Sequence, residues 1–134
     1  MSSDSTILVV DDDPAIREVM EEALSMAGYS VETATDGLEA LQRLGEGNLP
    51  RLILLDLMMP VMNGWQFRQR QSADRRLSQV PVVIVSSDRR AGEAAAVLGV
   101  AACLTKPVGL DELLEVVARY AGKAGGSLSS SAPP

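Results

Sequence analysis

The chain has 134 residues, a formal net charge of −6, no histidine and one cysteine. Its composition, 46% apolar and 22% charged, suits one globular domain, and no apolar run reaches the roughly 20 residues that a membrane-spanning helix needs. The negative charge opposes binding to nucleic-acid phosphates and anionic lipid, and the lack of histidine excludes imidazole catalysis and His-based zinc sites. We therefore expect no direct nucleic-acid partner and no membrane partner, and carboxylates must carry any chemistry.

The two remaining compositional features concern location and redox state. Residues 1–6 contain no basic patch followed by an apolar stretch, so they do not have the pattern of a secretory signal, and we expect a cytoplasmic protein. Cys103 cannot form an internal disulfide and has no neighbours at metal-ligand spacing. We expect its side chain to be a small, buried apolar group.

Along the chain, short apolar segments alternate with polar segments of helical period. The first predicted strand, 7–10, is followed by a helix over 14–27, with Asp13 as the N-cap, Pro14 in the first turn and Gly28 as the terminator. Its apolar positions follow the helical period and predict one buried face: Ile16, Val19, Met20, Ala23, Leu24 and Ala27. Residues 30–34 alternate polar and apolar side chains, which favours an edge strand, and 37–44 predict a second helix that ends at Gly45.

The second half of the chain repeats this order. Strands are predicted at 52–55, 82–85 and 101–104, and helices at 65–72, 90–98 and 110–121. The last helix has one apolar face made of Leu110, Leu113, Leu114, Val117 and Ala121. Apolar runs without alternation are typical of strands covered on both faces, so the chain predicts a doubly wound α/β fold with a parallel sheet between helical layers. After Gly122 the composition becomes Gly, Ser, Ala and Pro, which predicts a flexible tail or truncated linker over 122–134.

Polar side chains follow four of the predicted strands. Asp11, Asp12 and Asp13 come after the first strand and Asp56 after the third; Ser86 follows the fourth, and Lys106 and Pro107 follow the fifth. In a doubly wound sheet, ligands bind at the carboxyl ends of the strands, so we expect these groups to share one edge. Carboxylates that converge repel one another unless a cation or proton is shared among them. Oxygen ligands of this number favour Mg²⁺ over the denser cage that Ca²⁺ uses.

A carboxylate beside Mg²⁺ can act as a nucleophile toward phosphorus and form an acyl phosphate. In this chain Lys106 can offset the developing negative charge, and the Ser86 hydroxyl can donate a hydrogen bond to a phosphoryl oxygen.

Four motifs together resemble the receiver domains of response regulators in two-component signalling, including the chemotaxis regulators. They are ILVVDDDPAIR, DLMMPVMNGW, PVVIVSS and LTKPV, in the family's order and at matching separations. The resemblance covers about residues 6–121. The resemblance implies a flavodoxin-like fold with strand order 2-1-3-4-5. It divides the chain into a disordered N-terminus (1–5), a receiver domain (6–121) and the tail.

The resemblance also implies a role for each site residue. The metal would be bound by Asp11, Asp12, Asp56 and the backbone carbonyl of Met58. Asp56 would be the phosphoacceptor, Ser86 the switch hydroxyl and Lys106 the phosphate partner, and Pro107 would follow a cis peptide bond. Cys103 stands at the switch position, three residues before Lys106, where the family commonly has an aromatic side chain, so coupling to the output face is expected to differ. Ser86 in place of threonine, and Val108 where an aromatic often follows the proline, are milder departures.

Other residues have simpler interpretations. Helix capping fully accounts for Asp13, and Pro60, Asn63 and Gly64 are interpreted as shaping the loop after Asp56. Met58 and Met59 suit packing and not sulfur ligation. Six arginines are interpreted as ordinary solvated surface: Arg68, Arg70, Arg75, Arg76, Arg89 and Arg90.

The expected function is a phosphorelay switch and not an enzyme in the usual sense, although it would assist its own phosphorylation and dephosphorylation. With no histidine and no Walker A loop, the phosphoryl donor must be a partner, namely a histidine kinase or a histidine phosphotransfer protein. A downstream effector protein would read the changed surface. Two alternatives stay open: a pseudo-receiver that binds proteins without being phosphorylated, and an aspartyl-phosphate hydrolase, which usually has a second acid where Met58 stands.

Overall fold

The computed structural model describes residues 6–122, which form five strands and five helices in strict alternation. The expectations for 1–5 and 123–134 lie outside these residues. The strands are β1 (Thr6–Val10), β2 (Ser30–Ala34), β3 (Leu52–Leu55), β4 (Val82–Ser86) and β5 (Ala102–Thr105). The helices are α1 (Pro14–Met26), α2 (Gly37–Leu44), α3 (Gly64–Ala73), α4 (Ala91–Leu98) and α5 (Leu110–Ala121). A 3₁₀ turn, Leu77–Gln79, lies between α3 and β4 and was not expected from the sequence.

The strands form one parallel sheet in the order β2-β1-β3-β4-β5, which confirms both the fold class and the strand order. The central strands β1, β3 and β4 are buried along their whole length, as their uninterrupted apolar sequences predict. β2 lies at one edge of the sheet and is mostly half-buried. Because all five strands are parallel, their carboxyl ends lie along one edge, and this edge holds the polar residues described below.

Two apolar layers cover the sheet. On one side Ile7, Val9, Leu52 and Leu54 pack with residues of α1 and α5. The other face carries Leu8, Val10, Ile53 and Leu55, which pack with residues of α2 and with Phe67 of α3. The alternation along β1 and β3 therefore sends successive side chains into opposite layers. A smaller cluster of Leu57, Ile84, Ala91 and Ala94 holds α4 against the sheet.

Three apolar side chains expected in the core are exposed: Val19, Leu110 and Ala27, the last of which is the C-cap of α1. Val19 of α1 is 65% exposed and Leu110 of α5 is 55% exposed. Val19 and Leu110 line a groove between α1 and the start of α5, which Met20 and Leu113 line at greater depth. The apolar face of each helix is wider than the surface that packs against the sheet, so the residues at its margin remain exposed to solvent. Within residues 6–122, no helix combines the length and apolar character needed to cross a bilayer.

Candidate functional site at the carboxyl edge of the sheet

Asp11 is the most constrained acid of the site. It is only 2% exposed, and its backbone amide donates to the carbonyl of Ala34 on the neighbouring strand at 3.1 Å. Its Oδ1 accepts from the amide of Asp13 at 2.9 Å, and its carbonyl accepts from the guanidinium of Arg17 at 2.7 Å. The Asp13 side chain caps α1 through the amide of Ala15, as its place before Pro14 predicts. These contacts hold the loop after β1 in one conformation.

Asp56 follows β3 directly, and its amide donates to the carbonyl of Val10 at 2.9 Å, which ties the ends of β1 and β3 together. The residue is 5% exposed. Burial raises the pKa of its carboxyl, and the neighbouring charge of Asp11 raises this pKa further, while Lys106 and the amide of Met58 oppose the shift. A buried carboxylate next to a second acid is costly to keep, which is typical of a group retained for function.

Lys106 joins the two buried acids. Its Nζ lies 2.7 Å from Oδ2 of Asp11 and 3.4 Å from Oδ2 of Asp56. Burial opposes the charge on this ammonium, but the hydrogen bond and charge of Asp11, with a further contribution from Asp56, outweigh burial and raise the pKa of Lys106. The peptide bond between Lys106 and Pro107 is cis, as the resemblance implied. The amide of Lys106 donates to the carbonyl of Ser86, so β4 and β5 end in register.

The donor set suits a small divalent cation. Carboxylate oxygens of Asp11, Asp12 and Asp56 all lie within 4.8 Å of one another, and Asp12 is exposed at the mouth of the cluster. Three carboxylates face one ammonium, so a negative charge remains to be balanced. Hard oxygen ligands with an open, solvent-facing side fit Mg²⁺, which keeps several waters. The Met58 side chain is 61% exposed, and the expected role of its backbone carbonyl as a ligand stays a prediction.

Ser86 ends β4 and is fully buried. Its hydroxyl oxygen accepts a hydrogen bond from the amide of Asp88 at 3.1 Å, which links the end of the strand to the loop that leads into α4. Cys103 of β5 is partly buried, less than expected, and packs against the cluster that holds α4. Burial raises the pKa of its thiol, so the side chain is neutral at physiological pH.

The loop after Asp56 is shaped by backbone geometry. The amide of Met62 donates to the carbonyl of Pro60 at 2.7 Å, and Val61 between them has φ +68°, which is uncommon for a β-branched residue. Asn63 then caps α3 through a capping box with Gln66. At Gly64 a Cβ would contact the carbonyl oxygen of Asp56 and lie 2.8 Å from the Cα of Leu57. Only glycine fits where α3 begins against the acid-bearing strand end.

Three arginines have roles that the sequence interpretation missed. Arg17 was not singled out, although it binds the carbonyl of Asp11. Arg68 was interpreted as solvated surface, but its guanidinium binds the carbonyls of Leu98 and Gly99 and the side chain of Gln71. Arg76, in the same group, binds the carbonyls of Leu44 and Gly47. Such long-range contacts from a side chain to the backbone leave no periodic signal in the sequence.

Comparison with known proteins decides the family. The family model for the response regulator receiver domain matches residues 7–118 of this chain, and these include every site residue named above. The chain belongs to the response regulator receiver domain family. The receiver is 38% identical over 113 residues to the DNA-binding dual master transcriptional regulator RpaA of Synechocystis, with 81% of this chain and 45% of RpaA covered. It is also 40% identical over 123 residues to the sensor histidine kinase RcsC of Salmonella typhi, with 90% of this chain and 13% of RcsC covered.

Among solved structures, the receiver resembles the response regulator protein TrrA of Thermotoga maritima, solved in complex with Mg²⁺-BeF, with 29% sequence identity and a TM-score of 0.77. That match covers 87% of this chain and 98% of TrrA. By contrast, the chain spans less than half the length of the two longer relatives. The receiver is therefore a signalling domain of the two-component type, found in transcriptional regulators and in sensor kinases.

Proposed function

We propose that this receiver accepts a phosphoryl group on Asp56 from a phosphohistidine of a partner protein, with Mg²⁺, and signals by changing its protein-binding surface. The observation that carries the proposal is the ammonium of Lys106 placed between two buried carboxylates, 2.7 Å from Asp11 and 3.4 Å from Asp56. A histidine kinase or a histidine phosphotransfer protein in the cytoplasm is the proposed donor, and an effector protein is the proposed reader.

The residues that would hold Mg²⁺ are Asp11, Asp12 and Asp56, together with the backbone carbonyl of Met58. When bound, the ion supplies positive charge to the phosphoryl oxygens and lowers the repulsion among the acids. Two facts support this assignment: the carboxylate oxygens lie within 4.8 Å of one another, and the similar protein TrrA was solved with Mg²⁺-BeF.

The chain's own residues have distinct parts in phosphoryl transfer. An oxygen of the Asp56 carboxylate attacks phosphorus, the P–N bond of the donor breaks, and its electron pair stays on the imidazole nitrogen. Lys106 lies close enough to Asp56 to offset the charge that develops on the phosphoryl oxygens. The buried Ser86 hydroxyl donates a hydrogen bond to one of these oxygens after transfer. Asp56 does not turn over a substrate, so the receiver is a phosphoacceptor that assists its own phosphorylation and dephosphorylation.

The two alternatives make different demands on the site. A pseudo-receiver needs no buried acids, yet Asp11 and Asp56 are kept buried next to each other at an electrostatic cost. A hydrolase would place a second acid two residues after the nucleophile, where Met58 points its side chain into solvent. The site therefore favours a phosphoacceptor over both alternatives.

The test is phosphoryl uptake from acetyl phosphate, measured by intact mass. We expect the wild type with Mg²⁺ to gain one phosphoryl group, and Asp56→Asn, or the wild type with chelator, to gain none. Lys106→Ala should slow uptake by about 10²-fold because one charge-stabilising donor is lost. Asp13→Asn is the matched control, because asparagine caps a helix as well as aspartate does and the acid cluster is untouched. Uptake that survives Asp56→Asn, or no uptake by the wild type, contradicts the proposal.

A further inference from the structure

Helix α4 is weakly held by apolar packing. Of its eight residues only Ala91 and Ala94 are buried, and no side chain caps its N-terminus. Val97 is 79% exposed. Ala95 and Leu98 are partly buried against the same cluster. Because three of these four side chains are alanines, the helix buries little apolar area, and polar contacts at its two ends add to what fixes it.

The C-terminal end of α4 is bound by a residue of α3. The Nε of Arg68 donates to the carbonyl of Leu98 at 2.9 Å, and a terminal nitrogen donates to the carbonyl of Gly99 at 3.0 Å. These carbonyls belong to the last turn of the helix, where no partner exists within the helix. A guanidinium is suited to this place because it donates in two directions at once and carries the charge that the helix dipole favours there.

Arg68 is itself held by a buried amide. Its third contact is to Oε1 of Gln71 at 2.8 Å, and Gln71 is fully buried. The Nε2 of Gln71 donates to the carbonyls of Leu77 and Val80 at 2.9 and 3.0 Å. Since both carbonyls require a donor, the amide oxygen must face Arg68, and every polar atom of the Gln71 side chain is satisfied. Burial lowers the pKa of Arg68, but a guanidinium stays charged at neutral pH.

The N-terminal end of α4 is joined to the candidate phosphorylation site by weaker contacts. The hydroxyl of Ser86 accepts from the amide of Asp88 at 3.1 Å. The carbonyl of Asp88 accepts from the amide of Ala91, the first residue of the helix, at 3.0 Å. Both bonds are between neutral groups, whereas hydrogen bonds from a charged guanidinium are roughly twice as strong. The Asp88 carboxylate also accepts from the amide of Arg90 at 2.8 Å, but that bond lies within the segment that precedes α4. The link from Ser86 to α4 therefore consists of neutral bonds, whereas a guanidinium binds the C-terminal end.

We propose that Arg68, oriented by Gln71, is a positioning residue that fixes the C-terminal end of α4, so that movement of Ser86 displaces the N-terminal end about this fixed point. The inference rests on the proposed function, in which Ser86 turns toward the phosphoryl group on Asp56. When the Ser86 hydroxyl moves, the Asp88 amide follows it or loses its acceptor, and the first turn of α4 shifts. The last turn stays because moving it would break two charge-assisted bonds at once.

Hydrogen exchange measured by mass spectrometry on the full chain tests this, before and after reaction with acetyl phosphate and Mg²⁺. In the wild type we expect exchange to change over 87–94 and to stay constant over 97–101. In Arg68→Ala, the amides of Gly99 and Val100, which bond to the carbonyl of Ala95, should exchange at least about tenfold faster even without phosphorylation. Arg68→Lys keeps the positive charge but cannot donate in two directions. The exchange rates of these two amides in Arg68→Lys should therefore lie between those of the wild type and those of Arg68→Ala. Arg70→Ala, an exposed arginine of the same helix, is the matched control and should resemble the wild type.

The outcomes separate the two claims. Equal exchange over 97–101 in Arg68→Ala and Arg70→Ala overturns the anchoring role of Arg68. A wild-type change on phosphorylation that is as large over 97–101 as over 87–94 overturns the fixed point, because the helix would then move as a unit. If the wild type takes up no phosphoryl group, both the proposed function and the displacement of the N-terminal end of α4 are contradicted. The comparison of Arg68→Ala with Arg70→Ala still decides whether Arg68 fixes the C-terminal end.

Discussion

At the scale of single residues, the site depends on acids kept where burial disfavours their charge. Asp56 has a raised pKa because of burial first and the charge of Asp11 second. The folded chain therefore binds a proton at Asp56 more readily than the unfolded chain does. Charged Asp56 consequently destabilises the metal-free fold above its folded pKa, and this penalty fades as the pH falls through that pKa toward the ordinary value of 3.8.

Because charged Asp56 lowers the stability of the metal-free fold, the substitution Asp56→Asn should raise it. In chelator at about pH 7, we expect the variant to be more stable than the wild type by about 1 to 2 kcal/mol, because an unfavourable buried charge is removed. The gain should shrink between about pH 7 and about pH 4, because the raised pKa of Asp56 lets the folded chain take up this proton before the unfolded chain does. Urea unfolding at both pH values measures the difference. Asp13→Asn, at an exposed cap, should show no such gain, and a gain for Asp56→Asn that does not depend on pH would contradict this account.

At the scale of secondary-structure elements, the start of α3 is pressed against the strand end that carries Asp56. The amide of Gly64 donates to the carbonyl of Leu57 at 3.0 Å, and a Cβ at Gly64 would lie 2.8 Å from the Leu57 backbone. By contrast, nothing lies within 4 Å of a Cβ built at Gly92 of α4. Gly64 is the first residue of α3 and Gly92 the second residue of α4, but only Gly64 has neighbouring atoms where a Cβ would lie.

Substitution by alanine should have opposite effects on stability at Gly64 and at Gly92. Gly64→Ala should destabilise the fold by about 1 to 3 kcal/mol, because backbone atoms cannot yield to the added methyl, and should reduce phosphoryl uptake by displacing Asp56. Gly92→Ala should stabilise by about 0.5 to 1 kcal/mol, since alanine favours an exposed helix position. Urea unfolding of both variants tests the contrast. Equal destabilisation by the two would show that the close contact at Gly64 does not exist.

The elements also show what the sequence could and could not predict. Strands and helices were predicted nearly to the residue, because buried parallel strands are continuous apolar runs and Asp13 and Pro14 specify a helix start. α3 lacks an apolar stripe, because its buried face carries Gln71 together with Gly64 and Phe67. A polar residue at that spacing was the available signal for a buried amide. Its partners could not be predicted, since they are backbone carbonyls of a distant turn.

At the scale of the whole molecule, four strand ends bring the site together, and the order of the strands decides which residues meet. Asp11, Asp56, Ser86 and Lys106 come from neighbouring strands, and the sequence alone predicted this convergence from the doubly wound pattern. The sequence did not predict that Lys106 would bond most closely to Asp11 and lie farther from Asp56. Distances among side chains of one edge depend on packing that no local pattern encodes.

Because the proposed metal ligands follow two different strands, we expect Mg²⁺ to stabilise the whole fold. A ligand that binds only the folded chain adds about 1.4 kcal/mol at ten times its Kd, which corresponds to a rise in Tm of a few degrees. We expect this rise for the wild type and for Asp13→Asn, and its loss for Asp12→Asn. Thermal unfolding followed by circular dichroism, with Mg²⁺ and with chelator, measures it. A rise that persists in Asp12→Asn would place the ion elsewhere.

Phosphorylation of Asp56 can be tested most directly on a single tryptic peptide of this chain. Trypsin cleavage after Arg51 and Arg68 releases residues 52–68, in which Asp56 is the only Asp, Glu, Ser, Thr, Tyr, Lys or His. After brief reaction with acetyl phosphate and Mg²⁺ and a short tryptic digestion near neutral pH, we predict the added phosphoryl mass on this peptide, and its absence when chelator is present. A phosphoryl group found only on other peptides, or on this one regardless of Mg²⁺, would contradict a magnesium-dependent acceptor at Asp56.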